Sequence, residues 1–197
     1  MGYGAADPVK DAWPQVLART ALPPGTTLVN LGIAGATAAD ALQHQLPAAL
    51  AAQASVALVW LAVNDLLAQV AVDAYGRQLG HLVHALRGGG STRVLVGNAP
   101  PLDRLPILLT WDAGPDETGG AMPSPDAIAD AVDAYNEVIL RITAGEGAEL
   151  VDLHAATMAA RAAGTDSGLV ADDGFHPSTT GHRTLAATFA AVLGRAT

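Results

Sequence analysis

At 197 residues, half of them hydrophobic and 15% charged, the chain suits one domain over 1–197, with enough apolar material to bury a core and too much to be disordered throughout. A formal net charge of -9 argues against a nucleic-acid or anionic-membrane partner. The absence of cysteine excludes disulfides, thiolate catalysis and Cys-ligated metal.

The elements follow from periodicity and punctuation. A helix is expected over Val9–Thr20, then Pro23-Pro24-Gly25 introduces a buried strand, Thr26–Leu31 (TTLVNL). A helix over Ala38–Gln53 leads to the strongest strand candidate, Val56–Val63 (VALVWLAV). A long helix over Leu66–Arg87, which Asn64 or Asp65 could cap, ends at Gly88-Gly89-Gly90. The strand Arg93–Val96 follows, then an irregular stretch, Pro100–Pro123, containing Ile107-Leu108-Leu109 and Trp111. A loop of that length is read either as a pocket wall or as a surface excursion with apolar anchors. Ser124 and Pro125 suit the start of a helix over Pro125–Thr143. A strand at Glu149–Leu153 and helices at Ala155–Ala163 and Thr179–Leu193 complete the chain, the last capped by Ser178. Continuous apolar strands alternating with helices imply an α/β domain with a parallel sheet covered on both faces. No apolar run approaches the roughly 18 residues of a membrane span, and no signal peptide is recognisable. Localisation is unread: cytoplasmic if the N-terminus is complete, with room otherwise for a secretion signal upstream. The oligomeric state is equally unread.

Sites in open parallel sheets form at the carboxyl ends of the strands. Three polar or glycine-rich turns fall there: Asn30–Thr37 (NLGIAGAT), Ala62–Asp65 (AVND) and Gly97–Pro101 (GNAPP). A fourth, Asp172–Ser178 (DDGFHPS), precedes the final helix. An acid three residues before a histidine can orient and polarise the imidazole, two parts of an acid–histidine–nucleophile machine. Gly35 allows close backbone approach, or simply a tight turn; Asn64 carries an amide able to stabilise an oxyanion, or simply caps a helix. His81 and His84 share a helix face without a further ligand set and read, like His44 and His182, as helix-surface groups. His154 follows a strand near the functional edge. Gly32-x-x-Gly35 lacks the spacing of a dinucleotide loop, so no cofactor and no metal are expected.

The ordered blocks NLGIAGAT, AVND and DDGFHPS together resemble the SGNH hydrolases, also called the GDSL esterase/lipase family, over nearly the whole chain. The resemblance implies a three-layer α/β/α flavodoxin-like sheet of order 2-1-3-4-5 and a serine-type carboxylic ester hydrolase, acting on acyl or acetyl esters through an acyl-serine intermediate. His176 would be general base and then acid, Asp173 would hold its ring, and the Gly35 N–H and Asn64 amide would serve the oxyanion hole. The implied partner is a small-molecule acyl ester. Two departures stand out. Ala62 occupies a position usually held by glycine. The block carrying the nucleophilic serine has no counterpart, because Met1–Ala5 resembles the loop that follows it. Ser55, Ser91, Ser124, Ser167 and Ser178 sit on no strand-to-helix turn that would project a hydroxyl. The expectation is therefore that the nucleophile and the first, central strand are missing from the chain. Strand Thr26–Leu31 and strand Val56–Val63 would face each other across roughly 10 Å, twice the usual spacing of about 4.8 Å. The chain as it stands would then be poorly stable and inactive, or a noncatalytic relative that binds a glycan or acyl ligand.

Overall fold

The structure, a computed structural model, describes residues 11–110 and 123–195. Among these residues the sheet has three strands, β1 (Val56–Val59), β2 (Arg93–Gly97) and β3 (Glu149–Val151), all parallel and ordered β1-β2-β3. Val56 lies opposite Arg93, and Leu95 opposite Glu149. The strands are runs of Val, Leu and Ala because both sheet faces are covered. Ala57, Val59, Val94 and Val96 turn to one core cluster, whereas Val56, Leu58 and Leu95 turn to the other, as the two-residue period of a strand requires.

The first cluster lies under α5 (Val72–Arg87) and α7 (Pro125–Glu146). These helices bury Tyr75, Leu79 and Val83 against Val132, Tyr135 and Ile139, with the two tyrosine rings stacked at 4.4 Å. The second cluster lies under α1 (Trp13–Ala21) and α9 (Thr179–Leu193), where Trp13 stacks on Phe189 at 4.4 Å. Each such side chain stabilises the fold by roughly 1.5–3 kcal/mol through burial. His182, expected on the surface of α9, is 1% exposed instead, and its Nδ1 accepts the Trp13 N–H at 3.3 Å. The imidazole thereby joins the first and last helices.

Several boundaries follow the local signals. Ser124 caps α7 by accepting the Ala127 N–H, with Pro125 at the first helical position, and Ser178 caps α9 through the Gly181 N–H. Gly88, left-handed at φ 50°, ends α5. α8 (Leu153–Ala162) starts two residues earlier than expected because the Asp152 carboxylate accepts the Ala155 N–H. The stretch from Pro100 contains a short helix, α6 (Pro106–Thr110). The expected start of the first helix at Val9, the segment Met1–Ala5 and Trp111 all lie outside the described residues.

Four expected elements are corrected. The helix over Ala38–Gln53 is α2 (Ala38–Asp40) and α3 (Leu46–Ala51) joined through a widened π turn at Ala41–Gln45. Pro47 has no N–H and crowds the preceding turn, so Leu46 donates five residues back, to Ala41 O. The helix over Leu66–Arg87 is broken into α4 (Val63–Leu67) and α5. Gln69 takes φ 52°, and the Val70 carbonyl, which a continuous helix would use, accepts the Tyr135 hydroxyl. Finally, Thr26–Leu31 forms no strand. It lines the same cleft as β1 with Val29 55% exposed, and among the described residues no strand pairs with it, so its backbone joins no ladder. The β1 strand itself stops at Val59, and Ala62, buried at 3% exposure, leads directly into α4.

Candidate active site

The turn before α9 is closed by one carboxylate. Asp173 Oδ1 accepts the N–H groups of Phe175 and His176, both at 2.9 Å, and Oδ2 lies 2.7 Å from His176 Nδ1. Asp is suited to this because its short side chain reaches the backbone two and three residues ahead. Gly174 sits between them at φ 73°, and Ala171 donates to the His176 carbonyl across the base of the turn. Burial acts to raise the Asp173 pKa, but the Phe175 N–H, the His176 ring and the His176 N–H outweigh it and hold the group down at about 2. A carboxylate on Nδ1 places the proton of a neutral imidazole there and leaves Nε2 as an acceptor. Phe175 packs edge-on against the imidazole, ring centroids 4.9 Å apart.

The Gly35 turn is built locally. Asn30 Oδ1 accepts the Gly32 N–H, and Ala36 donates to Ile33 O at 3.3 Å. Gly35 holds φ 76°, and a Cβ there would meet no atom within 4 Å, so backbone conformation rather than space calls for glycine. Thr37 then starts α2 with a capping box shared with Asp40.

Asn64 does not cap α4. It lies inside the first turn, and its Nδ2 reaches 28 residues back in sequence to donate to Ala36 O at 2.9 Å. Beside it Asp65, 0% exposed, accepts the Ala38 N–H on both oxygens, at 3.0 and 3.1 Å. Burial raises the Asp65 pKa, while the Ala38 N–H and its own N–H act to lower it. From the sequence Asp65 reads only as a possible cap; the available signal was an acid directly beside Asn64 in AVND.

Gly35, Asn64 and His176 line a single cleft of about 1520 Å³, walled also by Trp60, Pro101 and Phe175. Arg104, Leu105 and Pro106 extend the wall, so the start of the irregular stretch borders the site. His154 does not; its N–H donates to Asn98 Oδ1. His84 pairs with Glu146 on the outer helices at 2.9 Å. Among the serines, Ser178 Oγ donates to Gly168 O, Ser91 Oγ to Gly88 O, and Ser124 Oγ caps α7. Ser55 and Ser167 border the cleft.

The family model for GDSL-like Lipase/Acylhydrolase proteins matches residues 1–184. The match begins at the first residue and takes in the N-terminal segment. It therefore overturns the expectation that the chain lacks the family's N-terminal catalytic block, and with it the expectation of an inactive or noncatalytic chain. That expectation rested on the likeness of Met1–Ala5 to one particular loop and on the placing of the five serines off the strand-to-helix turns. Among solved structures, the chain resembles a lipolytic G-D-S-L family protein from Veillonella parvula, at 15% identity and a TM-score of 0.73, over 98% of this chain and 93% of that one. It also resembles TesA (21% identity, TM-score 0.70, 96% and 91% covered) and an acetylxylan esterase from Geobacillus stearothermophilus (22% identity, TM-score 0.70, 94% and 82% covered). At these identities the likeness is one of fold, an α/β fold with an open parallel sheet. No curated protein matches the chain.

Proposed function

Because the chain belongs to the GDSL-like lipase/acylhydrolase family, a class of serine-type esterases, we propose that this cleft cleaves small carboxylic esters by two-step acyl transfer to water, with His176 as the proton carrier. Family membership implies a small-molecule ester as substrate, and no helix among the described residues is long and apolar enough to cross a membrane. The observation that carries the roles is that His176, held through Nδ1 by Asp173 at 2.7 Å, lines the same cleft as Asn64 and Gly35.

In this reading a serine oxygen attacks the ester carbonyl carbon and its proton passes to His176 Nε2. The carbonyl oxygen becomes an oxyanion, met by the Gly35 N–H and by the Asn64 amide proton that is not spent on Ala36 O. The tetrahedral intermediate collapses, the C–O bond to the alcohol breaks, and the alcohol leaves with the proton from His176. Water then repeats the sequence on the acyl-serine and regenerates the serine hydroxyl. Asp173 keeps the ring in the required tautomer and stabilises the imidazolium formed in each step. We also read the order β1-β2-β3 as part of the flavodoxin-like arrangement, which brings the strand ends to this cleft. The apolar side chains of Leu102, Leu105 and Pro106 suit the acyl side of the substrate.

Reaction with a fluorophosphonate probe, followed by peptide mapping, tests the reading and identifies the serine. We expect labelling together with hydrolysis of p-nitrophenyl acetate, both lost in His176→Ala, with kcat/KM down about 10²–10⁴-fold. In Asn64→Ala, kcat should fall about 10²–10³-fold with KM little changed. An unlabelled wild-type protein, or labelling and hydrolysis that survive His176→Ala, would overturn it.

A further inference from the structure

We infer that Asp65 is a positioning residue for the oxyanion side of the cleft, fixing the Gly35 turn and the Asn64 amide as one unit. The inference rests on the esterase reading above.

A carboxylate with 0% exposure is costly unless its oxygens are paired, so its partners reveal what it holds. Both Asp65 oxygens accept the backbone N–H of Ala38, at 3.0 and 3.1 Å. Its neighbour Asn64 donates to the carbonyl of Ala36 at 2.9 Å. The two bonds differ in polarity and flank a single residue, Thr37. One bond alone would let the segment pivot. A donor on one side and an acceptor on the other fix both its distance from α4 and its rotation. The segment needs such fixing because Gly35, at φ 76° and one residue upstream of Ala36, is where the backbone is freest. The local capping box between Thr37 and Asp40 sets the start of α2 but ties it to nothing across the cleft. Burial raises the pKa values of the stacked pair Tyr75 and Tyr135, and the Asp65 charge adds to that rise.

Misplacing a reacting group by about 1 Å costs on the order of 10²-fold in rate. Asp65→Ala should therefore lower kcat about 10²-fold with KM within about threefold, while Asp65→Asn, which keeps an oxygen for the Ala38 N–H, should stay within about tenfold of wild type. In Asp65→Ala, amide exchange of the peptide spanning Ile33–Asp40 should quicken while that of α5 and α7 does not. Should Asp65→Ala fail to melt cooperatively, Ala38→Pro removes the same donor. Proline suits the first helical position, and Thr37 already holds the extended conformation it requires (φ -86°, ψ 175°). Wild-type kcat in a folded Asp65→Ala or Ala38→Pro protein overturns the inference, as does equal loss of kcat in Asp65→Asn and Asp65→Ala. If the wild type shows no His176-dependent hydrolysis, the esterase reading fails separately. The exchange measurement then decides alone: unchanged protection of Ile33–Asp40 in Asp65→Ala overturns the positioning role, and faster exchange confined there upholds it.

Discussion

Ile107 donates its backbone N–H to the carbonyl of Gly174 at 3.2 Å, so the first turn of α6 is latched to the turn that carries Asp173 and His176. The latch has no room for a side chain at Gly174. A Cβ there would lie 2.9 Å from Ile107 N and 3.2 Å from Pro106 Cβ, at a residue whose φ of 73° already disfavours any L side chain. Gly174→Ala should therefore cost about 1–3 kcal/mol of stability and lower esterase turnover by displacing His176. Urea unfolding and p-nitrophenyl acetate hydrolysis check it; a variant matching wild type in both would show that the latch yields freely.

Asp173 makes part of the fold's stability depend on pH, with a definite sign. Burial would raise its pKa, yet the bonds from Phe175 and His176 hold it at about 2, below the ordinary value of about 3.9. A group lowered in the folded state contributes stability that is complete above the unfolded pKa and disappears as pH falls through the folded one. Wild type should therefore exceed Asp173→Asn in stability at pH 7, and the gap should close between about pH 4 and pH 2. Urea midpoints of both proteins at several pH values supply the check. A gap that stays constant across that window would mean the carboxylate charge is not what holds the turn.

The legible parts of the molecule are those whose physics closes within a few residues. Asp173 and His176 meet because three residues of turn bring them together, and DDGFHP displays that in the sequence. The caps at Ser124 and Ser178 and the stop at Gly88 are equally local. What stayed hidden depends on distant partners. His182 looks like a surface histidine until α1 supplies the Trp13 N–H, 169 residues away. The break between α4 and α5 needs the Tyr135 hydroxyl, 65 residues away, to take the Val70 carbonyl. Asp65 resembles a cap until Ala38 comes within 3.0 Å.

Thr26–Leu31 shows the reverse error. Its run of Thr, Leu and Val has the composition of a buried strand, but a strand exists only where a neighbour accepts its backbone bonds, and nothing in six residues reports the neighbour. The expectation of a missing N-terminal block had a similar origin, since it drew on Met1–Ala5 and on five serines taken one by one, whereas the family match draws on residues 1–184 together.

Arg93, at the opposite end of β2 from Asn98, holds the sheet to the last helix. Its guanidinium bonds Glu149 through Nε at 2.6 Å and Nη2 at 2.8 Å, and donates to the carbonyls of Val192 and Leu193 at 2.9 and 2.8 Å. Those carbonyls lie at the end of α9, where Val192 O also accepts the Arg195 N–H at 3.1 Å and where positive charge is favoured. Lysine supplies the charge but not the planar fork, so it cannot serve Glu149 with two parallel bonds and the helix end as well. Arg93→Lys should therefore lower stability by about 1–2 kcal/mol, and Arg93→Ala by about 2–3 kcal/mol because the Glu149 carboxylate and the Leu193 carbonyl both lose the bonds Arg93 gives them. The site lies at the other end of the strand, so turnover per folded molecule at 25 °C should match wild type in both variants. Thermal melts with parallel kcat measurements decide it: turnover that falls in step with stability would show that the anchor of α9 reaches through the helix to the turn bearing His176.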